Sequence, residues 1–104
     1  MYLMTKKVLL VCGTGASSGF MAANARKAAK KLGENIEIKA KSESEINDYL
    51  NEIDILMVAP HLKYMLEEVK DAADHAGVKS VMIPQKVYGA LDGKGLVALI
   101  KELD

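Results

Sequence analysis

The sequence predicts an α/β domain: a four-stranded parallel sheet, order 2-1-3-4, with helices on both faces. Three observations predict it. Short apolar runs alternate with stretches of helical periodicity four times along 104 residues, and that alternation builds a parallel sheet covered by helices. The runs Val8-Leu9-Leu10-Val11-Cys12 and Ile55-Leu56-Met57-Val58-Ala59 are apolar throughout, as strands buried on both faces are. Right-handed crossovers then leave few topologies, and the order 2-1-3-4 puts the first strand in the middle. In such sheets ligands bind at the carboxyl ends of the strands, beside the switch point between strands one and three. Cys12 and Pro60-His61 both fall at that end.

Taken in order, the first strand ends at Cys12, and Gly13-Thr14-Gly15-Ala16-Ser17-Ser18-Gly19 follows as a loop of small residues. Met21, Ala25, Ala28, Ala29 and Leu32 recur at helical spacing. Ser17 or Ser18 is the expected N-cap of that helix, Arg26, Lys27, Lys30 and Lys31 suit its C-terminal half, and Gly33 ends it. Residues 34–40, with Ile36 and Ile38 alternating, form a weaker second strand. Ser42 and Glu45 have the spacing of a capping box ahead of a short helix carrying Ile46, Tyr49, Leu50 and Ile53. After the third strand Pro60 opens a long helix whose apolar stripe is Leu62, Met65, Leu66, Val69 and Ala73, and Gly77 stops it. Val81-Met82-Ile83 is the fourth strand, stopped by Pro84. A turn-rich connection from Val87 to Gly95 leads to a last helix carrying Leu96, Leu99, Ile100 and Leu103.

The length fits one domain, residues 1–104, and half of the residues are hydrophobic, enough for a single core. Fourteen basic residues balance fourteen acidic ones, so the electrostatic footprint of a nucleic-acid binder is missing. No apolar run has membrane-spanning length. Met1-Tyr2-Leu3-Met4-Thr5 lacks the charged-then-apolar pattern of a signal peptide; Met4 offers a second start, and the first five residues precede every predicted element. One cysteine cannot make an internal disulfide, which suits a reducing cytoplasm. There are no repeats, linkers or low-complexity segments.

The chemistry points to the first loop. A phosphate needs several converging hydrogen-bond donors, and a loop of small residues entering a helix presents backbone N–H groups without obstruction. Gly13, Gly15 and Gly19 permit unusual dihedrals, and Thr14, Ser17 and Ser18 add hydroxyls. A cysteine at the mouth of that cradle faces the positive end of a helix dipole, which favours thiolate. Such a thiolate is a nucleophile aimed at phosphorus, and no metal or cofactor is required. An arbitrary cysteine at a strand end is a small buried residue; the loop after Cys12 reverses that default. Two nucleotide patterns fail: Ser18 occupies the third glycine of the dinucleotide fingerprint, and no Gly-Lys-Ser/Thr closes a Walker loop. Lys39 and Lys41 stand where an acidic ribose ligand would end the second strand. A cysteine phosphatase would place an arginine six residues after the nucleophile, to fork onto phosphate. That position is Ser18, and the single arginine, Arg26, lies roughly 12 Å further along the helix axis.

With those residues in view, the run from Val8 to Met21 resembles the start of the enzyme IIB proteins of the lactose/cellobiose/chitobiose class, from the bacterial sugar phosphotransferase system. Ala59-Pro60-His61-Leu62-Lys63-Tyr64-Met65 and Tyr88-Gly89-Ala90-Leu91-Asp92-Gly93 are similar to the family's segments after the third strand and before the last helix. The resemblance implies a fold similar to low-molecular-weight tyrosine phosphatases. It implies that Cys12 accepts a phosphoryl group from a IIA phosphohistidine and passes it to a sugar, a disaccharide in this class, held by the membrane subunit IIC. Residues Gly13, Thr14, Gly15, Ala16, Ser17, Ser18 and Gly19 would be the phosphate loop. The chain departs from the family pattern at two positions: Gly19 stands where many relatives have Ser, and His61 where Gln is frequent.

Other residues have blander readings. His61 is expected as an exposed helix-start residue, and His75 as a surface residue at a helix end. Tyr64 and Tyr88 are expected to bury their rings rather than rim the site. Asp92 is expected to cap the last helix, the basic cluster Arg26 to Lys31 to be a solvated face, and the methionines to fill the core. Two functional alternatives accompany the carrier: a low-molecular-weight cysteine phosphatase or arsenate reductase, and a nucleotide-binding module.

Overall fold

The computed structural model describes residues 6–12 and 16–103. Four strands, β1 (Lys6–Cys12), β2 (Ile36–Ser42), β3 (Ile55–Val58) and β4 (Lys79–Met82), pair all-parallel in the order β2-β1-β3-β4. The expected sheet is therefore the observed one. Helices α1 (Ala16–Leu32) and α5 (Gly93–Glu102) lie on one face. Helices α2 (Ile46–Tyr49) and α3 (Leu66–Ala76) lie on the other. A short helix, α4 (Gln85–Gly89), joins β4 to α5.

The two faces explain the unbroken apolar strands. Val8 and Leu10 pack with Met57 and Ile38 under Met21, Ala22, Ala25, Ala28 and Ala29 of α1 and Leu96, Val97 and Ile100 of α5. Leu9 and Val11 pack on the opposite side with Leu56, Val58, Leu62, Val69 and Ala73. Side chains alternate across a strand, so a central strand covered on both faces has no polar position to spare. Met21 and Met57 are core filler as expected.

Two helices end alike. The N–H of Gly33 bonds to the Lys30 carbonyl (3.2 Å) and that of Glu34 to Ala29 (2.9 Å). At the end of α3, Gly77 bonds to Asp74 (3.1 Å) and Val78 to Ala73 (2.8 Å). Both are Schellman closures, and both glycines have positive φ, 70° and 74°, where a side chain would be strained.

Several boundaries differ from the sequence reading. Strand β2 starts at Ile36 rather than residue 34 because Glu34 closes α1, and it runs on to Ser42. Strand β4 begins at Lys79 and ends at Met82, although the Ile83 N–H still reaches the Val58 carbonyl (2.8 Å). The segment opened by Pro60 is a 3₁₀ stretch, Pro60–Met65, kinked at Leu62, and α3 proper starts only at Leu66. Ile53 falls outside α2. The supposed turn-rich connection contains α4, and α5 begins at Gly93. Asp92 is its N-cap: the carboxylate accepts the Gly95 N–H at 3.0 Å. Asp92→Ala should destabilise the protein by about 1 kcal/mol, read as a lower denaturant midpoint at unchanged m-value.

Candidate functional site

The carboxyl edge of the sheet is set by β1. Cys12 is the last residue of β1 and is buried, 1 % exposed. On one side its register partner is Ser42, the last residue of β2. On the other side Val11 pairs with Val58, and the Ala59 N–H donates to the Val11 carbonyl (3.0 Å). The chain therefore leaves the sheet at Ser42–Glu43 and at Ala59–Pro60, flanking Cys12. By alternation Cys12 shares the face of Val8 and Leu10, the face that α1 covers.

Helix α1 starts at Ala16, which corrects the expected cap. Ser17 and Ser18 lie inside the first turn rather than ahead of it, and Ala16 to Gly19 are helical rather than loop. Backbone N–H groups of a first helical turn have no acceptors within the helix. Gly13, Thr14 and Gly15 lie outside the described residues. An added Cβ on Gly19 would meet nothing within 4 Å.

The Arg26 Nε donates to the Ile38 carbonyl (2.8 Å), tying α1 to β2. The lone arginine is thus structural. Lys27, Lys30, Lys31 and Lys94 edge a groove of about 630 Å³ between α1 and the start of α5, roughly 16–22 Å along α1 from its first residue. His75 is a surface residue in the last turn of α3, its Nδ1–H donating to the Asp71 carbonyl (2.8 Å). Tyr88 packs half-buried against the core as expected. Tyr64 does not: it is 78 % exposed, and at helical spacing it lies opposite the Leu62, Met65, Leu66 and Val69 stripe.

Sequence reading overlooked the corner after β2. The Ser42 N–H donates to Glu45 Oε2 (3.2 Å), and the Ser42 hydroxyl lies 3.2 Å from the same oxygen and 2.9 Å from Ser44 Oγ. Glu43 Oε2 is buried and without a hydrogen-bond partner. The signal was available in the capping box: a cap at Ser42 requires the strand to reach Ser42, which brings this corner beside Cys12.

Residues 7–99 match the family model for the lactose/cellobiose-specific IIB subunit of the phosphotransferase system. The chain belongs to this family. It is 31% identical to the galactose-specific EIIB component of Lactococcus lactis subsp. cremoris, over 94% of this chain and 95% of that protein. It is 30% identical to the lactose-specific EIICB component of Streptococcus mutans, over 91% of this chain but 17% of that protein. The lactose-specific IIB domain from Streptococcus pneumoniae superposes with a TM-score of 0.87 at 19% identity, covering 95% of this chain and 97% of that one. This IIB chain is therefore a phosphotransferase-system component of the lactose/cellobiose type. Among the described residues no helix is long and apolar enough to cross a membrane.

Proposed function

We propose that Cys12 is the phosphoryl acceptor of this IIB chain, loaded by a IIA phosphohistidine and unloaded onto a sugar held by a membrane IIC subunit at the cytoplasmic side. The observation that carries the reading is the position of the single thiol. It ends the central strand immediately before the N-terminus of α1, in a chain of the IIB family. The Streptococcus mutans relative named EIICB, which this chain matches over only part of its length, supports IIC as the acceptor's holder. The transfer breaks the phosphohistidine N–P bond as the Cys12 thiolate forms an S–P bond, and the imidazole leaves. Phosphocysteine then gives its phosphoryl group to a sugar hydroxyl: the S–P bond breaks as an O–P bond forms, the hydroxyl proton is released, and the thiolate is regenerated. Residues Gly13, Thr14, Gly15, Ala16, Ser17, Ser18 and Gly19 form the proposed cradle through backbone N–H groups and hydroxyls. Relatives named for galactose and for lactose leave the individual sugar unspecified; the proposal is a disaccharide.

The missing guanidinium separates a carrier from a phosphatase. A bidentate arginine would grip the phosphoryl group and stabilise the charge of its transfer, whereas a cradle of neutral donors lets it move on. Hydrolysis also needs an acid for the leaving group, and Asp92 is committed to capping α5. The expected result is negligible turnover of an aryl phosphate by the wild-type protein, with any gain appearing in Ser18→Arg. Robust wild-type turnover that is lost in Cys12→Ser would overturn the carrier reading in favour of a phosphatase.

A further inference from the structure

The chain has no net charge, but its charges are unevenly placed. Helix α1 carries Arg26, Lys27, Lys30 and Lys31 and no acidic residue. On the other face of the sheet, α3 carries Glu67, Glu68, Asp71 and Asp74 against one lysine, Lys70. Lys27, Lys30, Lys31 and, from α5, Lys94 edge the groove of about 630 Å³, whose lining includes Ala28 and Leu91. Among the described residues none of these four lysines is paired with a carboxylate, whereas Lys101 is held by Glu34 (2.8 Å). The carboxylate beside the groove, Asp92, is taken up by its cap. Lys30 and Lys31 suit the negative end of α1, but Lys94 stands in the first turn of α5, where the helix dipole opposes a cation. The dipole alone therefore does not explain the cluster. Phe20, Asn24, Lys27 and Lys31 follow one another at helical spacing on the outward side of α1, opposite the buried Ala22, Ala25 and Ala29. Phe20 is 68 % exposed there.

We infer that the outward face of α1, with the groove beside it, docks on an anionic lipid surface. Lipid phosphates sit among Lys27, Lys30, Lys31 and Lys94, and the Phe20 ring enters the apolar boundary. The choice of lipid deepens the proposed hand-off to a sugar held by a membrane IIC subunit and rests on it. An exposed aromatic and clustered lysines on one helix face, with no acid between them, are what a bilayer interface selects. Each lysine brought near an anionic leaflet adds attraction. The acidic residues of α3 are repelled by the same leaflet, so the uneven charge turns the α1 face toward it. Location favours lipid over an acidic protein, because the proposed sugar acceptor is reached only at a membrane. Cys12 lies just ahead of the N-terminus of α1, so a helix lying along the leaflet keeps the thiol at the membrane surface. Four lysines and one ring give weak, reversible attachment, which suits a carrier that must also meet IIA.

Co-sedimentation of the full chain with lipid vesicles in about 0.1 M salt tests the inference. The vesicles are equal parts phosphatidylglycerol and phosphatidylcholine, or phosphatidylcholine alone. The wild type should partition onto the anionic vesicles and not the neutral ones, and added salt should release it. The quadruple variant Lys27→Gln, Lys30→Gln, Lys31→Gln, Lys94→Gln should lower the partition coefficient by at least about thirtyfold. A second quadruple variant, Lys7→Gln, Lys39→Gln, Lys70→Gln, Lys86→Gln, removes the same charge from exposed positions elsewhere and should lower it less than about threefold. Phe20→Ser should lower it about three- to tenfold. Circular dichroism shows that each variant is folded. Equal losses in the two quadruple variants would overturn the inference, as would wild-type binding no tighter to anionic than to neutral vesicles. A wild type that ignores the vesicles but binds a polyglutamate peptide through the same four lysines would overturn it in favour of an acidic protein. Phosphate transfer from a phosphorylated IIA protein to Cys12 is measured alongside. Transfer without vesicle binding removes the lipid surface and leaves the carrier reading standing; vesicle binding without transfer removes the carrier reading and leaves the docking face.

Discussion

Cys12→Ser should lower the rate of phosphoryl acceptance by at least about a thousandfold while leaving the fold in place. The rate falls because a serine hydroxyl stays neutral where a thiol can ionise, and the thiolate is the attacking form. The fold persists because the exchange changes little volume and keeps the backbone pairing of Cys12 with Ser42. The hydroxyl can also use the polar end of the strand, where Ser42, Ser44 and Glu45 already gather. Incubation with a phosphorylated IIA protein, followed by peptide mapping, gives the readout. Phosphate should be found on Cys12 in the wild type and on no residue in the variant. Phosphate on His61 or His75 with Cys12 unmodified would overturn the assignment. His75 is poorly suited to the role, with one ring nitrogen bonded to the Asp71 carbonyl at the far end of α3.

The parts of this architecture that were legible in the sequence are those fixed by local chemistry. Strands β1 and β3 read correctly because a strand covered on both faces must be apolar at every position, and Val8–Cys12 and Ile55–Val58 are. Gly33, Gly77 and Asp92 read correctly because left-handed closures and N-caps demand particular residue types. The illegible parts depend on what packs against what. Strand β2 sits at the sheet edge, where Lys39 and Lys41 extend over the Tyr49 ring at 5.8 and 5.4 Å, so only Ile36 and Ile38 marked it and its last two residues went unread. The kink at Leu62 hides in a sequence whose apolar spacing continues smoothly into α3, and Tyr64, off that stripe, is exposed against expectation. Helix α4 is only five residues long, too short for periodicity to register. At the site, Cys12 could be singled out from the residue run alone, but its neighbours across the sheet could not, because strand register is a property of pairing.

The segment from Tyr88 to Gly93 ties the start of α5 to α1. Asn24, midway along α1, donates from Nδ2 to the Leu91 carbonyl at 2.9 Å. Leu91 adopts a φ of 50°, a left-handed conformation uncommon for a residue with a side chain, which turns the chain sharply so that Asp92 can cap α5. Gly93 then presses against α1: a Cβ built there would sit 2.3 Å from the Asn24 carbonyl oxygen, 2.5 Å from its carbon and 2.9 Å from the Ala25 nitrogen. These atoms belong to the backbone in the middle of a seventeen-residue helix, so they cannot swing aside as a side chain would. Relief requires α1 and α5 to separate, which loosens Ala25, Ala28, Leu96 and Val97 together. Gly93→Ala should therefore destabilise the protein by about 3 kcal/mol and lower its melting temperature by on the order of 10 °C. Gly89→Ala, whose added Cβ meets nothing within 4 Å, should be neutral or raise stability by up to about 1 kcal/mol through the unfolded state. Thermal melts of the two variants followed by circular dichroism measure the contrast. Equal melting temperatures would mean that the close approach of α5 to α1 is not what requires glycine at position 93.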